Sequence, residues 1–154
     1  MKQTAQAKTG VPTPDTASKD RLRLWLRLLK TRRAVETALR TNLRTQFQST
    51  LPRFDVMAAL SRYPAGLKMS EISGLLRVSN SNVTGIVDRL VEEGLIERIA
   101  VKGDRRASRV RLTEVGQDEF SRQAAAHEVW IDDMLSDFSA QEAKDIAAVL
   151  KRMS

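Results

Sequence analysis

No cysteine occurs in the chain, and there is a single histidine. Without thiols the protein can form neither disulfides nor thiolate metal centres, and oxidant sensing by cysteine is excluded, a composition that suits a reducing cytoplasm. One histidine with no second histidine or cysteine beside it makes no metal site. No apolar run approaches the roughly 20 residues of a membrane span, and the N-terminal MKQTAQAKTGVPTPDTASK lacks the apolar core of a secretory signal. A cytoplasmic protein without a membrane partner is expected. The sequence also has no glycine-rich phosphate loop, paired-histidine motif, nucleophile elbow or cysteine nucleophile, so an enzyme is the least supported class and no cofactor is expected. Negative charge is the scarcer sign. Asp and Glu number 19 against 26 Lys and Arg, a net +7 that favours a polyanionic partner: nucleic acid, an anionic membrane face or a phosphorylated ligand.

What is present centres on Ser79 to Leu112, SNSNVTGIVDRLVEEGLIERIAVKGDRRASRVRL. Val83, Ile86, Val87, Leu90 and Val91 recur at helical spacing as one buried stripe, while Asn80, Ser81, Asn82, Thr84, Asp88 and Arg89 face away. Gly94 stands where a left-handed helix cap is wanted. Leu95 to Val101 and Ser108 to Leu112 then read as two strands around Lys102-Gly103-Asp104-Arg105-Arg106. A polar-faced helix followed by an arginine-tipped loop is a layout for reading DNA.

At 154 residues one domain is expected. Residues 1–18 are polar and interrupted by Gly10, Pro12 and Pro14, which predicts a flexible tail. From about Ser18 to Gln48 there is neither Pro nor Gly, and Leu22, Trp25, Leu29, Val35, Leu39 and Leu43 keep helical spacing, as one long helix or a bent pair. Arg21, Arg23, Arg27, Lys30, Arg32, Arg33, Arg40 and Arg44 stand there against Asp20 and Glu36. Thr50 and Pro52 open a helix carrying Phe54, Met57, Ala58 and Leu60, and Tyr63-Pro64-Ala65-Gly66 stops it. Leu67 to Met69 suggest a short strand, and Ser70 a cap for a small helix with Ile72, Leu75 and Leu76. Two short helices, a brief turn and a strand pair make a winged helix-turn-helix over 50–112. Thr113 caps a long helix running to near Phe138, and Ser139 with Glu142 forms a capping box for a last helix bearing Ile146, Val149, Leu150 and Met153. The expected fold is therefore mainly α with a small β-wing: a single domain over 19–154 whose segments 19–48 and 113–154 are dimerisation helices. These flanking helices carry more apolar surface than one winged helix can cover, so an intertwined helical homodimer is expected.

The GLIER and DRRASRVRLTEVG segments, in this order after a helix-turn-helix, resemble the MarR family of transcriptional regulators. The resemblance runs from about Leu22 to Met153, and its most specific part is Asp104-Arg105-Arg106 followed by Val110 to Thr113 and Gly116. It implies a dimer whose first and last helices interlock, a pseudo-palindromic double-stranded operator, and control by a small ligand held between the dimer helices and the DNA-binding lobe. The Arg-rich first helix with Trp25 and the Arg32 to Glu36 segment further resembles regulators of aromatic-acid catabolism, some of which respond to hydroxycinnamoyl-coenzyme A thioesters.

A major groove asks for short polar side chains near a helix N-terminus, which Ser79, Asn80, Ser81, Asn82 and Thr84 supply. Asn80 or Asn82 suits adenine, and Ser81 and Thr84 suit phosphate or a thymine methyl; the alternative is that the group merely caps a surface helix. Arg105 and Arg106 suit a narrow minor groove and its backbone. Asp104, repelled by DNA, would hold an arginine, and Arg98 would brace the wing root against Asp88. Lys68, Arg77, Arg89 and Lys102 are phosphate partners or simply a solvated charged face. The implied ligand pocket would be lined by Trp25, Leu28, Leu29, Phe54, Met57, His127 and Trp130, side chains that equally suit plain core, with Arg32 and Arg33 for ligand phosphates. The expected function is a repressor of aromatic-acid catabolism released by an aromatic ligand, with a hydroxycinnamoyl-coenzyme A thioester the first choice. The alternatives are a regulator of efflux or stress genes responding to a free phenolic acid, and an effector-independent architectural DNA-binding protein.

Overall fold

A computed structural model describes residues 15–153, apart from the side chains of Asn80, Arg105, Arg106 and Ala107. Six helices and three strands follow in the order α1 (Thr16–Phe47), α2 (Leu51–Ser61), β1 (Leu67–Lys68), α3 (Met69–Leu76), α4 (Asn80–Glu92), β2 (Ile96–Val101), β3 (Asp104–Leu112), α5 (Glu114–Met134) and α6 (Ala140–Lys151). The chain divides within α1 into two compact units, Met1–Ala34 and Val35–Ser154. The fold is mainly α with a small antiparallel wing, as the periodicity predicts.

α1 is one unbroken helical segment from Thr16 to Phe47, and it begins before the expected end of the tail, of which residues 1–14 lie outside the described residues. Lys19 adds a ninth cation to the helix against Asp20 and Glu36. In the first unit Leu22, Leu24, Trp25 and Leu26 are all more than half exposed.

The second unit is built around two apolar clusters. In the first, Val56, Met57 and Leu60 of α2 meet Ile72 of α3, Val83, Val87 and Leu90 of α4, and Leu67, Ile96 and Val110 of the sheet. In the second, Leu39 and Leu43 of α1 pack with Phe54 and Trp130. Capping follows the sequence closely at three places. The Thr50 hydroxyl accepts from the Arg53 amide, Thr113 from Gly116, and Ser139 and Glu142 form their reciprocal box. Ser70 is not the cap of α3. A Ser70 cap would start the helix at Glu71; it starts two residues earlier, at Met69, where the Lys68 amide donates to the Glu71 carboxylate at 2.6 Å, the acidic half of a capping box. α5 stops at Met134, short of Phe138.

The sheet has the order β1-β3-β2, with Leu67 opposite Val110 and Ile96 opposite Leu112. Gly66 (φ +88°) passes so close to β3 that a Cβ there would lie 2.9 Å from the Val110 carbonyl oxygen. Arg109 reaches back to donate to the Gly66 carbonyl at 2.9 Å, fastening β1 to the wing.

Candidate nucleic-acid interface

α4 is held from behind by its aliphatic stripe. Val83, Val87 and Leu90 have no exposed surface, and Ile86 and Val91 are half-buried against the same core. With that face fixed, Ser81, Asn82, Thr84, Asp88 and Arg89 fall on the exposed side. Ser79 precedes the helix in extended conformation, yet its hydroxyl caps no amide; its Oγ lies 3.3 Å from Ser81 Oγ. The Ser79 carbonyl accepts from the Val83 amide at 3.2 Å, but its hydroxyl takes none of the first-turn amides of α4, groups that suit an anion in front of the helix. Asn80 belongs to this row, but its side chain lies outside the described residues.

The turn into α4 rests on Arg77, in the left-handed conformation at φ 53° and exposed. Such a backbone favours glycine or asparagine, and two amides, those of Arg77 and Val78, close it onto the Ser73 carbonyl. Asn82 also borders a cleft of about 310 Å³ with Pro52, Asp55, Leu76, Val78 and Ile86. Burial raises the Asp55 carboxyl above its ordinary value, while the neighbouring His127 draws it down and Glu36 pushes it up again.

The wing is the β2–β3 hairpin, turned at Lys102 and Gly103 (φ +90°), with a bulge at Ala100 and Val101. Lys102 and Asp104 are exposed; the side chains of Arg105 and Arg106 lie outside the described residues. The hairpin is braced by Arg111 to Glu97 at 2.6 Å across its strands, and by Arg98 to Asp88 of α4. Arg98 therefore stands at the wing root with the partner the sequence suggested. Both pairs are largely solvent-exposed, so Arg98→Ala should lower stability by less than about 1 kcal/mol in urea unfolding. A larger loss would show that the pair holds the wing against α4 by more than surface charge.

The base of the wing is mounted on α5 by a contact that periodicity does not reveal. The Thr113 amide donates to the Leu95 carbonyl at 3.0 Å, and its hydroxyl donates to the Gly94 carbonyl at 2.7 Å. Gly116 then lies against Leu95 so tightly that a Cβ would stand 1.8 Å from the Leu95 carbonyl oxygen. Arg53 of α2 grips Glu93, the residue capping the C-terminus of α4, through its two terminal guanidinium nitrogens. Neither contact is legible in spacing alone, although Gly116 does appear in the motif that carries the family resemblance.

The residues expected around a ligand fall in different places. Trp25, Leu28, Leu29, Arg32 and Arg33 belong to the first unit, where Trp25, Arg32 and Arg33 are exposed and Leu28 and Leu29 half-buried. In the second unit Phe54, Trp130 and His127 come together, His127 stacking on Phe54 at 4.8 Å between ring centroids, while Met57 sits in the other cluster under α4. Among the described residues no group of histidine, cysteine and carboxylates could hold a metal, and no helix is long and apolar enough to cross a membrane.

Residues 49–108, the span from the start of α2 through most of the wing, match the model of the MarR family. Over 111 residues the chain is 32% identical to the HTH-type transcriptional regulator PecS of Dickeya dadantii (strain 3937), an alignment covering 71% of this chain and 67% of that protein. A crystal structure of a MarR family transcriptional regulator from Silicibacter pomeroyi is similar at a TM-score of 0.73 and 32% identity, over 90% of this chain and 96% of that one. A mutant MarR of Escherichia coli crystallised with operator DNA gives a TM-score of 0.74 over 87% and 95% of the two chains; at 20% identity that likeness is one of fold.

Proposed function

Because this chain belongs to the MarR family of transcriptional regulators, we propose that it is a homodimeric repressor that holds a pseudo-palindromic operator and leaves it when a small aromatic ligand binds. The observation that carries the reading is α4: an apolar stripe whose Val83, Val87 and Leu90 are fully buried, behind a solvent-facing row of serine, asparagine and threonine, beside a basic hairpin. Asn80 or Asn82 reads adenine, Ser81 and Thr84 meet phosphate or a thymine methyl, and Ser79 frames the helix start. Lys68, Arg77, Arg89 and Lys102 contact phosphates. Arg105 and Arg106 serve the minor groove, with Asp104 and Arg98 supporting the wing. Exposed apolar side chains on α1 (Leu22, Trp25, Leu26) and, separately, on α6 (Ile146, Val149) and just after it (Met153) are what a second copy would cover. Two reading helices then meet half-sites about 34 Å apart.

The nine cations of α1 support a phosphorylated effector, with a hydroxycinnamoyl-coenzyme A thioester as the ligand and aromatic-acid catabolism as the controlled process. Phe54, His127 and Trp130 of the second unit are the candidates for its ring, with Met57 removed to the core under α4, and Trp25, Leu28, Leu29, Arg32 and Arg33 of the first unit remain candidates by sequence, the two arginines for its phosphates. Such a ligand lowers operator affinity only by preferring a lobe spacing that misfits the DNA. Two measurements test the reading. A labelled operator should resist competition by random duplex, and loss of that preference would leave an architectural protein. In calorimetry the thioester should bind at least about ten-fold more tightly than the free acid, a difference that Arg32→Ala with Arg33→Ala erases. Equal binding of thioester and acid to the unmodified protein would remove the phosphates from the account.

A further inference from the structure

Of the cations along α1, Arg40 and Arg44 belong to the second unit, whereas Arg32 and Arg33 belong to the first. Arg40 and Arg44 stand four residues apart on one helical face, an arrangement in which like charges repel. Neither is well neutralised. Arg44 makes no ion pair among the described residues, and Arg40 makes a loose one, to Glu36 at 3.5 Å. Arg44, in the last turn of α1, complements the carbonyl end of its own helix. That accounts for neither Arg40, a turn earlier, nor the surroundings the two arginines share.

Both line a recess of about 370 Å³, and so do Thr50, Leu51 and Pro52 at the start of α2; no carboxylate is among the residues around it. α2 begins here without an acidic residue in its first turn, so the positive end of its dipole is unopposed. Of its first amides, that of Arg53 donates to the Thr50 hydroxyl and that of Phe54 to the Thr50 carbonyl. Pro52 has no N–H, which leaves the Leu51 amide to meet an acceptor. The Thr41 hydroxyl is already engaged, donating to the Thr37 carbonyl at 3.1 Å. Two exposed guanidiniums and a helix start thus face one space that supplies no negative charge, which is what a phosphate group requires.

The position favours one source of phosphate. Pro52 also borders the cleft formed with Val78, Asn82 and Ile86, at the turn into α4 and along its first two turns. The recess therefore adjoins, across one residue, the end of α4 that carries the polar row. We propose that Arg40, Arg44 and the start of α2 hold one backbone phosphate of the DNA duplex, outside the contacts of α4 and the wing, and so lengthen the footprint on each half-site. The inference rests on the operator-binding reading above and adds to it a contact from α1, the helix otherwise given to dimerisation and ligand. Such a contact adds affinity and fixes register without reading a base.

Fluorescence anisotropy of labelled operator and random duplexes over a series of salt concentrations tests it, with Arg40→Gln and Arg44→Gln combined in the full-length protein. Affinity is expected to fall about ten-fold or more on both duplexes, and the slope of log affinity against log salt concentration to lose about one per half-site. The melting temperature should be unchanged or slightly higher, because the like-charge pair is relieved. Arg122→Gln with Lys144→Gln, on α5 and α6, removes the same charge elsewhere and should leave the slope unaltered. An equal loss of slope in that control would reduce the effect to net charge and overturn the proposal. An unaltered slope in the Arg40 and Arg44 variant, while the parent still prefers operator to random duplex, would overturn it and leave the repressor reading standing. A parent that binds neither duplex would remove both. Calorimetry with inorganic phosphate at constant ionic strength supplies the remaining arm. Saturable binding to the parent but not to the variant, with duplex affinity equal in the two, would give the recess to a free phosphate compound and overturn the assignment to DNA.

Discussion

Alanine at position 116 is expected to destabilise the protein by about 3 kcal/mol or more, at the upper end of what one added methyl group costs in a packed interior. The reason is backbone meeting backbone. A Cβ on residue 116 would stand 1.8 Å from the Leu95 carbonyl oxygen and 2.8 Å from its carbonyl carbon, atoms with no rotamer to escape through. Either α5 lifts off the α4–β2 turn or the turn gives way. Both movements break the Thr113 bonds to Gly94 and Leu95, and those bonds fix the wing to the helix after it. Urea unfolding monitored by circular dichroism should show the loss as a lower midpoint with little change in slope. As a control, Gly85→Ala in α4 meets no atom within 4 Å and replaces a poor helix former, so it should leave stability unchanged or raise it by about 1 kcal/mol. A Gly116→Ala protein as stable as the parent would mean that the close approach to Leu95 is not kept in solution.

This contact also marks the boundary of what the sequence makes legible. Helix ends could be read where one residue type has one physical job: Thr50, Thr113 and the Ser139–Glu142 box cap as their chemistry dictates, and Gly94 adopts the positive φ that its place required. The reading failed where jobs are shared. Ser70 is as good a cap as any serine, but Glu71 reaches the Lys68 amide first, so the helix starts earlier. Ser79 has the right position and turns its hydroxyl toward Ser81. Arg77 takes a left-handed backbone that its side chain disfavours because the turn around it is over-determined by two bonds to Ser73. For the site, the polar face of α4 was legible because a helical period divides buried from exposed by arithmetic. The Arg53–Glu93 clasp was not, since no periodicity links residues 40 positions apart. Aromatic positions were the weakest signal: Phe54, His127 and Trp130 gather as expected, yet the same spacing placed Met57 with them and it packs under α4 instead.

Removing both wing arginines, Arg105→Ala with Arg106→Ala, is expected to weaken operator binding by about two orders of magnitude or more while leaving the melting temperature within a degree or two. Each arginine that meets base edges or phosphate is worth about 1–3 kcal/mol, and the two act at one place on the duplex. The fold should not suffer, because the clusters that hold the winged helix together draw on β3 at Val110 and Leu112, beyond the tip. The hairpin also stays pinned by Arg111 to Glu97 and by Arg98 to Asp88. Salt dependence separates the two ways an arginine can act. If both only neutralise phosphate, the slope of log affinity against log salt concentration should fall by about two in magnitude, and binding should weaken equally on operator and random duplex. If one enters the minor groove, the slope should fall by about one, and the operator should lose more affinity than random DNA, most of all where its flanks are A·T-rich. The second pattern is the expected one: the helix supplies short side chains for the major groove, and the sequence places two adjacent arginines, Arg105 and Arg106, at the start of β3, directly after the Lys102–Gly103 turn. Fluorescence anisotropy with operator and random duplexes at several salt concentrations measures all of this in one series. An unchanged operator affinity in the double variant would take the wing out of the interface and leave α4 to hold the DNA alone.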